Sequence, residues 1–272
     1  MARVSEDRAA GPGFLTRVGQ GLARWSLVIG LFALWDALAR SGAFTPFMLP
    51  SPESVIERIW RDATGGNLFI SMALTLYRAL TGFFIAATLG VLIGLLMSRV
   101  ASARWFFDPI ISVAFPMPKI TFLPVIVLWL GFYDIAKISM VVFDAIFPVI
   151  TATLVGMQAV EKELLWSARN MGAKERELLW QVMLPAASPQ IMTGLQVSLP
   201  IAVIVAIVAE MLMGGYGIGG EMSQASRMAD SRGVFAGIVE IAIVGWFLVK
   251  GMSLLRRRLL VWHPEADAAR GV

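Results

Sequence analysis

The chain of 272 residues contains no cysteine, and its one histidine, His263, lies beside Pro264 in a polar tail. The first absence excludes a disulfide framework, an iron–sulfur cluster and a thiol nucleophile, and it leaves the redox compartment unreadable. The second leaves a lone imidazole that reads as solvated, so no metal site is proposed. Charge is scarce as well: Asp, Glu, Lys and Arg together make 15% of the residues, against about a quarter in soluble domains. There is no G-x-x-x-x-G-K-[ST] phosphate loop, so the chain is not itself the ATPase of any nucleotide-driven system. No His/Asp or Ser/Lys cluster stands at catalytic spacing, and no enzymatic activity is expected of it.

What the chain has in abundance is apolar sequence. With 57% hydrophobic residues and a mean hydropathy of +0.73, it is an integral membrane protein. The net charge of +4 does not point to nucleic acid. Its basic residues are scattered among the ends of apolar runs, where the bias of cytoplasmic loops toward Lys and Arg explains them.

Residues 1–24 carry Arg3, Arg8, Arg17 and Arg24 around Gly11, Pro12 and Gly13 and read as a cytoplasmic tail. The first span runs from Trp25 to about Ala39. Ala37-Leu38-Ala39 matches a signal-peptidase site, but the long basic leader and Asp36 argue for a retained span with its amino terminus inside. Residues 40–70 read as an external loop with a surface helix, weakly amphipathic over Ser54 to Arg61, and a turn at Gly65-Gly66-Asn67.

Ser71 to Met97 is long enough to cross about 30 Å of hydrocarbon. It ends at Arg99 and Arg104, which places that end inside. Gly82, Ala86, Gly90, Gly94 and Ser98 recur every fourth residue and make a strip along which another helix backbone can approach. The third run, Pro109 to Gly131, is interrupted by Pro116, Pro118 and Pro124, each lacking an amide donor, so an unbroken helix is not expected. The remaining spans read as about Ile135–Met157, Ile191–Met213 and Val234–Leu255, the last closed by Arg256, Arg257 and Arg258. The expectation is an all-α protein with one membrane domain of six transmembrane helices over 25–255 and a cytoplasmic tail at 256–272. Both termini then lie inside, with every strong basic cluster on that side.

Between the fourth and fifth spans lies a loop, 158–189, that holds the charge-rich stretch EKELLWSARNMGAKERELLWQVMLP. Leu165, Trp166 and Ala168 give its first half an apolar face, and Lys162, Glu163, Arg169 and Asn170 a wet one. Gly172 ends the first helix, Lys174 to Val182 forms a second, and Pro185 interrupts that one. Two readings stand: a solvated interhelical loop, or a helical hairpin that docks in a partner's groove.

The stretch resembles the loop by which permeases of binding-protein-dependent ABC importers engage their ATPase, E-A-A, three residues, G, then about a dozen residues to L-P. Ala168, Gly172, Val182, Leu184 and Pro185 fall in register; Trp166 and Ser167 depart at the first two positions, and the nearest acidic residue upstream is Glu163. With LPSP, TLYRALTGF, PMPKITFLPVIVLWLGFYDIAK, SARNMGA, LPAASPQIMTGL and VAEML in order, residues 47–255 look like the nitrate/sulfonate/taurine branch of that family. The resemblance implies a type I importer permease in the bacterial inner membrane, working as a homodimer. It also implies an ATP-binding cassette subunit that binds ATP and Mg in the cytoplasm, and a periplasmic or lipid-anchored substrate-binding protein outside. No cofactor is then expected in this chain. ATPase coupling would fall on Trp166, Ser167, Ala168, Arg169, Gly172, Ala173, Lys174, Leu178 and Pro185, and the solute would be small and anionic.

Ionisable groups inside spans are expensive and so are candidates for the substrate path. They are Arg78, Lys119, Asp144, Glu210 and Glu240, with Pro116 and Pro118 marking the broken backbone. Lys119 reads either as the attractor of an anion or as a lysine that snorkels or pairs with Asp144. Arg78 and Glu210 read as a structural pair or as ligand contacts, Asp144 and Glu240 as packing or gating partners. Trp129, Phe132 and Tyr133 read either as lining of the outer mouth or as the aromatics expected at any membrane interface. Gly215 to Gly220 satisfies G-x-G-x-x-G but follows a membrane helix, so it reads as a flexible external turn leading to the amphipathic stretch Glu221 to Arg227. A stand-alone secondary transporter or channel is the alternative, although the inverted repeats expected of one are not visible.

Overall fold

The computed structural model describes the backbone of residues 14–262 and the side chains of residues 26–262. His263, the first part of the expected amino-terminal tail and the end of the carboxy-terminal one lie outside that range. The described chain is all-α. In order come α1 (Phe14–Arg40), α2 (Pro52–Thr64), α3 (Asn67–Arg99), α4 (Ala101–Ala114), a 3₁₀ turn (Lys119–Phe122), α5 (Leu123–Leu130) and α6 (Asp134–Gln158). Then follow α7 (Lys162–Asn170), the single turn α8 (Glu175–Glu177), a π-helical segment (Leu178–Met183), α9 (Leu184–Met213), α10 (Ile218–Arg227) and α11 (Ser231–Leu259).

Among the described residues, four helical stretches are long and apolar enough to cross a membrane, those of α3, α6, α9 and α11, and α4 with α5 makes up to a fifth. The sixth expected crossing is α1, which presents Leu27, Ile29, Leu31 and Leu34 outward. It is tied to the rest by its Trp35 indole, which donates to the Pro50 carbonyl at 3.0 Å and stacks near Phe235.

The centre of the molecule is the trio α3, α6 and α9. The strip of small residues on α3 lies against α6: a Cβ on Gly82 would fall 2.5 Å from Val141 Cγ1, and one on Gly94 2.6 Å from Thr153 Cβ. These pairs, with Gly90 against Val149 between them, advance in the same direction along both helices, so α3 and α6 are parallel. Parallel neighbours require the intervening chain to return across the whole thickness. The bent pair α4 and α5 is therefore a crossing, broken by 96°. Pro116 and Pro118 occupy the break, while Pro124 sits in the first turn of α5, where a missing amide costs no hydrogen bond. On the adjoining face of α6, α9 runs antiparallel, with Gly194 against Ala152 and the Ser198 hydroxyl donating to the Ala145 carbonyl at 2.7 Å.

Three boundaries and the character of one helix differ from the sequence reading. The third crossing starts at Ala101, not Pro109, because Pro109 is absorbed inside α4. The second helix of the hairpin is not interrupted at Pro185: helix continues from Glu175 to Met213. The widened π turn explains this, since the Leu184 amide reaches back to the Leu179 carbonyl and leaves room for the proline ring that follows. The last helix continues to Leu259, so Arg256 to Arg258 lie in its final turn. The amphipathicity of α2 is strong where a weak one was expected, with Val55 buried while Ile56 and Trp60 are exposed. Ser51 caps it, accepting from the Ser54 amide.

Candidate functional site

Three polar regions interrupt the apolar bundle. The first is the hairpin between α6 and α9. It closes because Gly172, at φ +87°, takes the left-handed conformation that a side chain resists. That lets the Ala173 amide reach the Ala168 carbonyl (3.1 Å) and the Gly172 amide the Arg169 carbonyl (2.9 Å), a Schellman turn that satisfies the last carbonyls of α7. Ala168 is buried at that corner, where a small side chain is needed. The next helical turn starts at Lys174, whose amide donates to Glu177 Oε2 at 2.7 Å.

Glu175 then bridges the hairpin to the end of α3, accepting from Arg169 Nη2 at 3.1 Å and from Arg99 Nη2 at 2.9 Å. Hydrogen bonds from Arg169 and then Arg99 hold its carboxyl below the usual range. Leu178 is buried beneath.

Of the residues expected to carry ATPase coupling, Trp166, Ser167, Arg169, Gly172, Lys174 and Pro185 are exposed, Ala173 is half-buried, and Ala168 and Leu178 face inward. The last two form the spine of the hairpin and are not available as surface. Leu164, Met171 and Trp180, which sequence reasoning did not single out, are exposed apolar groups of the same hairpin as Trp166. Glu175 was missed because its role depends on Arg99, distant in sequence.

The second region lies at the break between α4 and α5. Lys119 is 7% exposed, and its Nζ meets Asp144 Oδ1 of α6 at 2.8 Å and the Phe115 carbonyl at 3.1 Å. It also stands 4.9 Å from the centroid of the Phe147 ring and 5.8 Å from that of Phe115, so ring faces offset part of the cost of burying the cation. Beside this pair is a cavity of about 310 Å³ lined by Lys119, Asp144, Pro148, Val197, Ile201 and Ile204, among others. Pro116 and Pro118 are exposed at the break. The aromatic and aliphatic lining was invisible in the sequence, where these residues are ordinary members of apolar runs.

The third region is at the opposite end from the hairpin. Arg78 of α3 donates to Glu210 Oε1 of α9 (2.5 Å), to the Tyr216 carbonyl (2.6 Å) and to Asp134 Oδ1 of α6 (2.8 Å). The second oxygen of Glu210 accepts from Thr75 Oγ1 (2.8 Å) and from the Gly219 amide (3.1 Å), and Lys137 Nζ donates to the Gly214 carbonyl (2.9 Å). The segment Gly215 to Gly220 is thus no flexible turn. A Cβ on Gly217 would fall 2.5 Å from the Glu210 carboxylate, and one on Gly219 2.3 Å from the Ile207 carbonyl, so the glycines let the backbone close over a buried ionic cluster. Thr75, Asp134 and Lys137 were missed; Asp134 and Lys137 stand in the first turn of their span, where charged groups are ordinarily solvated. Glu240 is buried in α11, and Trp129, Phe132 and Tyr133 are exposed.

An all-α polytopic membrane protein with a buried ion pair at a broken crossing and a rigid helical hairpin beyond the bundle belongs among solute-transport proteins. The comparisons make that specific. Residues 86–260 match the family described as binding-protein-dependent transport system inner membrane component, and the chain belongs to that family.

It is 32% identical over 87% of its length to the putative aliphatic sulfonates transport permease protein SsuC of Bacillus subtilis, of which 86% is covered. It is 31% identical, again over 87% of its length, to the taurine transport system permease protein TauC of Escherichia coli, covering 88% of it. Among solved structures, an inward-facing MetNI methionine ABC transporter chain aligns with a TM-score of 0.55 at 16% identity, over 70% of this chain and 98% of that one. An amino acid ABC transporter with histidines aligns at 0.56 and 19% identity, over 72% of this chain and 95% of that one. These last two establish the fold.

Proposed function

We propose that this chain is the membrane pathway of an ATP-driven importer for a small sulfonate-type solute, with the 25–255 span domain forming the path and the 158–189 loop coupling it to an ATPase. A second copy of the chain completes the path, a cytoplasmic ATP-binding cassette subunit receives the hairpin, and a periplasmic or lipid-anchored binding protein delivers the solute. ATP and Mg belong to the partner. Both termini and the hairpin face the cytoplasm of a bacterial cell, in agreement with Arg99, Arg104 and Arg256 to Arg258 at that end.

The observation that carries the coupling is the helical continuity from Glu175 through the π segment to Met213. A push on the hairpin surface formed by Leu164, Trp166, Met171 and Trp180 is transmitted along one rod to Glu210, at the far end. An apolar helical surface of that kind fits a groove on a partner. The sulfonate solute is supported by the named relatives.

The test is reconstitution. Proteoliposomes holding this chain with its ATPase subunit, and the binding protein outside, should take up an alkanesulfonate or taurine only with ATP enclosed in the lumen on the hairpin side. Gly172→Pro, which cannot adopt a positive φ, should leave ATP hydrolysis running while uptake falls. Gradient-driven uptake by this chain alone would overturn the reading, as would labelling of Lys174 from outside intact cells.

A further inference from the structure

Resting on that reading of the chain as a solute path, we infer that the Lys119–Asp144 pair is a two-ended site for a small zwitterion, an amino sulfonate whose anion takes Lys119 and whose ammonium takes Asp144. The inference starts from how unevenly the pair is satisfied. Lys119 Nζ is ion-paired with Asp144, donates to the Phe115 carbonyl, and lies over the Phe147 ring. Among the described residues the Asp144 carboxylate meets Lys119 Nζ alone, although a carboxylate has about four acceptor positions. Its side chain is 25% exposed and it lines the cavity. By contrast, both oxygens of the Glu210 carboxylate are engaged, and its side chain is wholly buried.

Charge balance then selects the ligand. The pair is neutral as it stands. A monoanion that displaced Asp144 from Lys119 would leave the carboxylate without its counter-ion beside the apolar wall of Val197, Ile201 and Ile204, and a partly buried charge that loses its partner is disfavoured. A monocation on Asp144 would strand Lys119 in the same way. A zwitterion opens the pair without stranding either charge, because each end meets its opposite, and its short methylene link matches the aliphatic wall. The cavity, at about 310 Å³, lies at the lower edge of the usual size for small-molecule sites, which suits a molecule of a few heavy atoms.

The experiment uses the complete permease–ATPase complex in lipid nanodiscs and saturation-transfer NMR with three probes of one length: taurine, ethanesulfonate and ethylammonium. In the wild-type complex taurine should bind about tenfold more tightly than either singly charged probe, the ratio that one charge-assisted hydrogen bond supports. Asp144→Asn should remove that preference and bring taurine down to the level of ethanesulfonate, Asp144→Glu should retain it, and Lys119→Met should lose both sulfonates. Equal binding of the three probes to the wild type, or an unchanged taurine preference in Asp144→Asn, would overturn the inference. Because the wild-type series alone decides, misassembly of a variant does not rescue it. ATP-dependent uptake is read separately: if it fails while the taurine preference holds, the importer reading falls and the site stands, and the reverse outcome removes only the site.

Discussion

Arg78 near the start of α3 and Arg99 at its end both reach a glutamate on the helical rod that runs from Glu175 to Met213. Side-chain exposure is 5% for Arg78 and 0% for Glu210, but 29% for Arg99 and 61% for Glu175. At the Glu210 end Arg78 and Glu210 are dry and surrounded by fixed donors and acceptors, although Asp134, the second carboxylate on Arg78, is 46% exposed. At the hairpin end the same chemistry is wet. An ion pair in water contributes little, whereas a dry one is strongly destabilising to break because the surviving charge has no solvent. The rod is therefore held by a dry ion pair at one end and by a solvated one at the other.

The comparison is broken most severely at the dry end. Arg78→Ala leaves Glu210 buried without its counter-ion and should cost about 3–5 kcal/mol, read as loss of folded protein in thermal unfolding in nanodiscs. Arg78→Met with Glu210→Met should recover part of that, since no charge is then stranded; no recovery would show that the contacts to Asp134 and the Tyr216 carbonyl matter more.

Next comes the seam that holds the rods together. Gly94→Leu must displace Thr153 and the Ile150 carbonyl, which a Cβ there would meet at 2.6 and 2.9 Å, and overpacking of this kind costs about 1–3 kcal/mol. Gly245→Leu on α11, where nothing lies within 4 Å, should be neutral in the same assay.

At the hairpin the effects shrink. Gly172→Ala has open space around it but a positive φ, so the cost is backbone strain of about 1–2 kcal/mol, read as faster amide exchange over residues 168–175. Glu175→Gln should leave thermal stability unchanged and alter only the salt dependence of exchange in the loop. Glu175 lies in the loop, and its carboxyl is held below its ordinary value of 4.5. Its bridge to Arg169 and Arg99 is thus fully present above that value and lost as pH falls through the depressed one. Loop exchange corrected for intrinsic rates should stay flat from neutral pH down to about pH 5, and a transition near neutrality would mean another group holds the hairpin.

Several features were open to reading in the chain because their causes are local. The small-residue strip of α3 declares itself by its four-residue period, the break near Lys119 by its prolines, and the hairpin's corner by Gly172 after a short amphipathic run. What misled the reading was equally physical. Pro185 is a helix breaker in isolation, yet a π turn just before it makes room for the ring. The glycines from 215 to 220 look like slack, yet they are small because Glu210 and the Ile207 carbonyl leave no space.

Composition and period alone determined that this protein is helical, crosses the membrane several times and carries a wet hairpin between two of its spans, because those properties depend on neighbours within a few turns. Which charges meet was decided only by the tertiary structure. Arg78 and Glu210 stand 132 residues apart, and parallel packing of α3 on α6 had to be established before the broken crossing could present Lys119 to Asp144. In a medium without water a charge must find its partner wherever the fold brings one, and no local pattern encodes that.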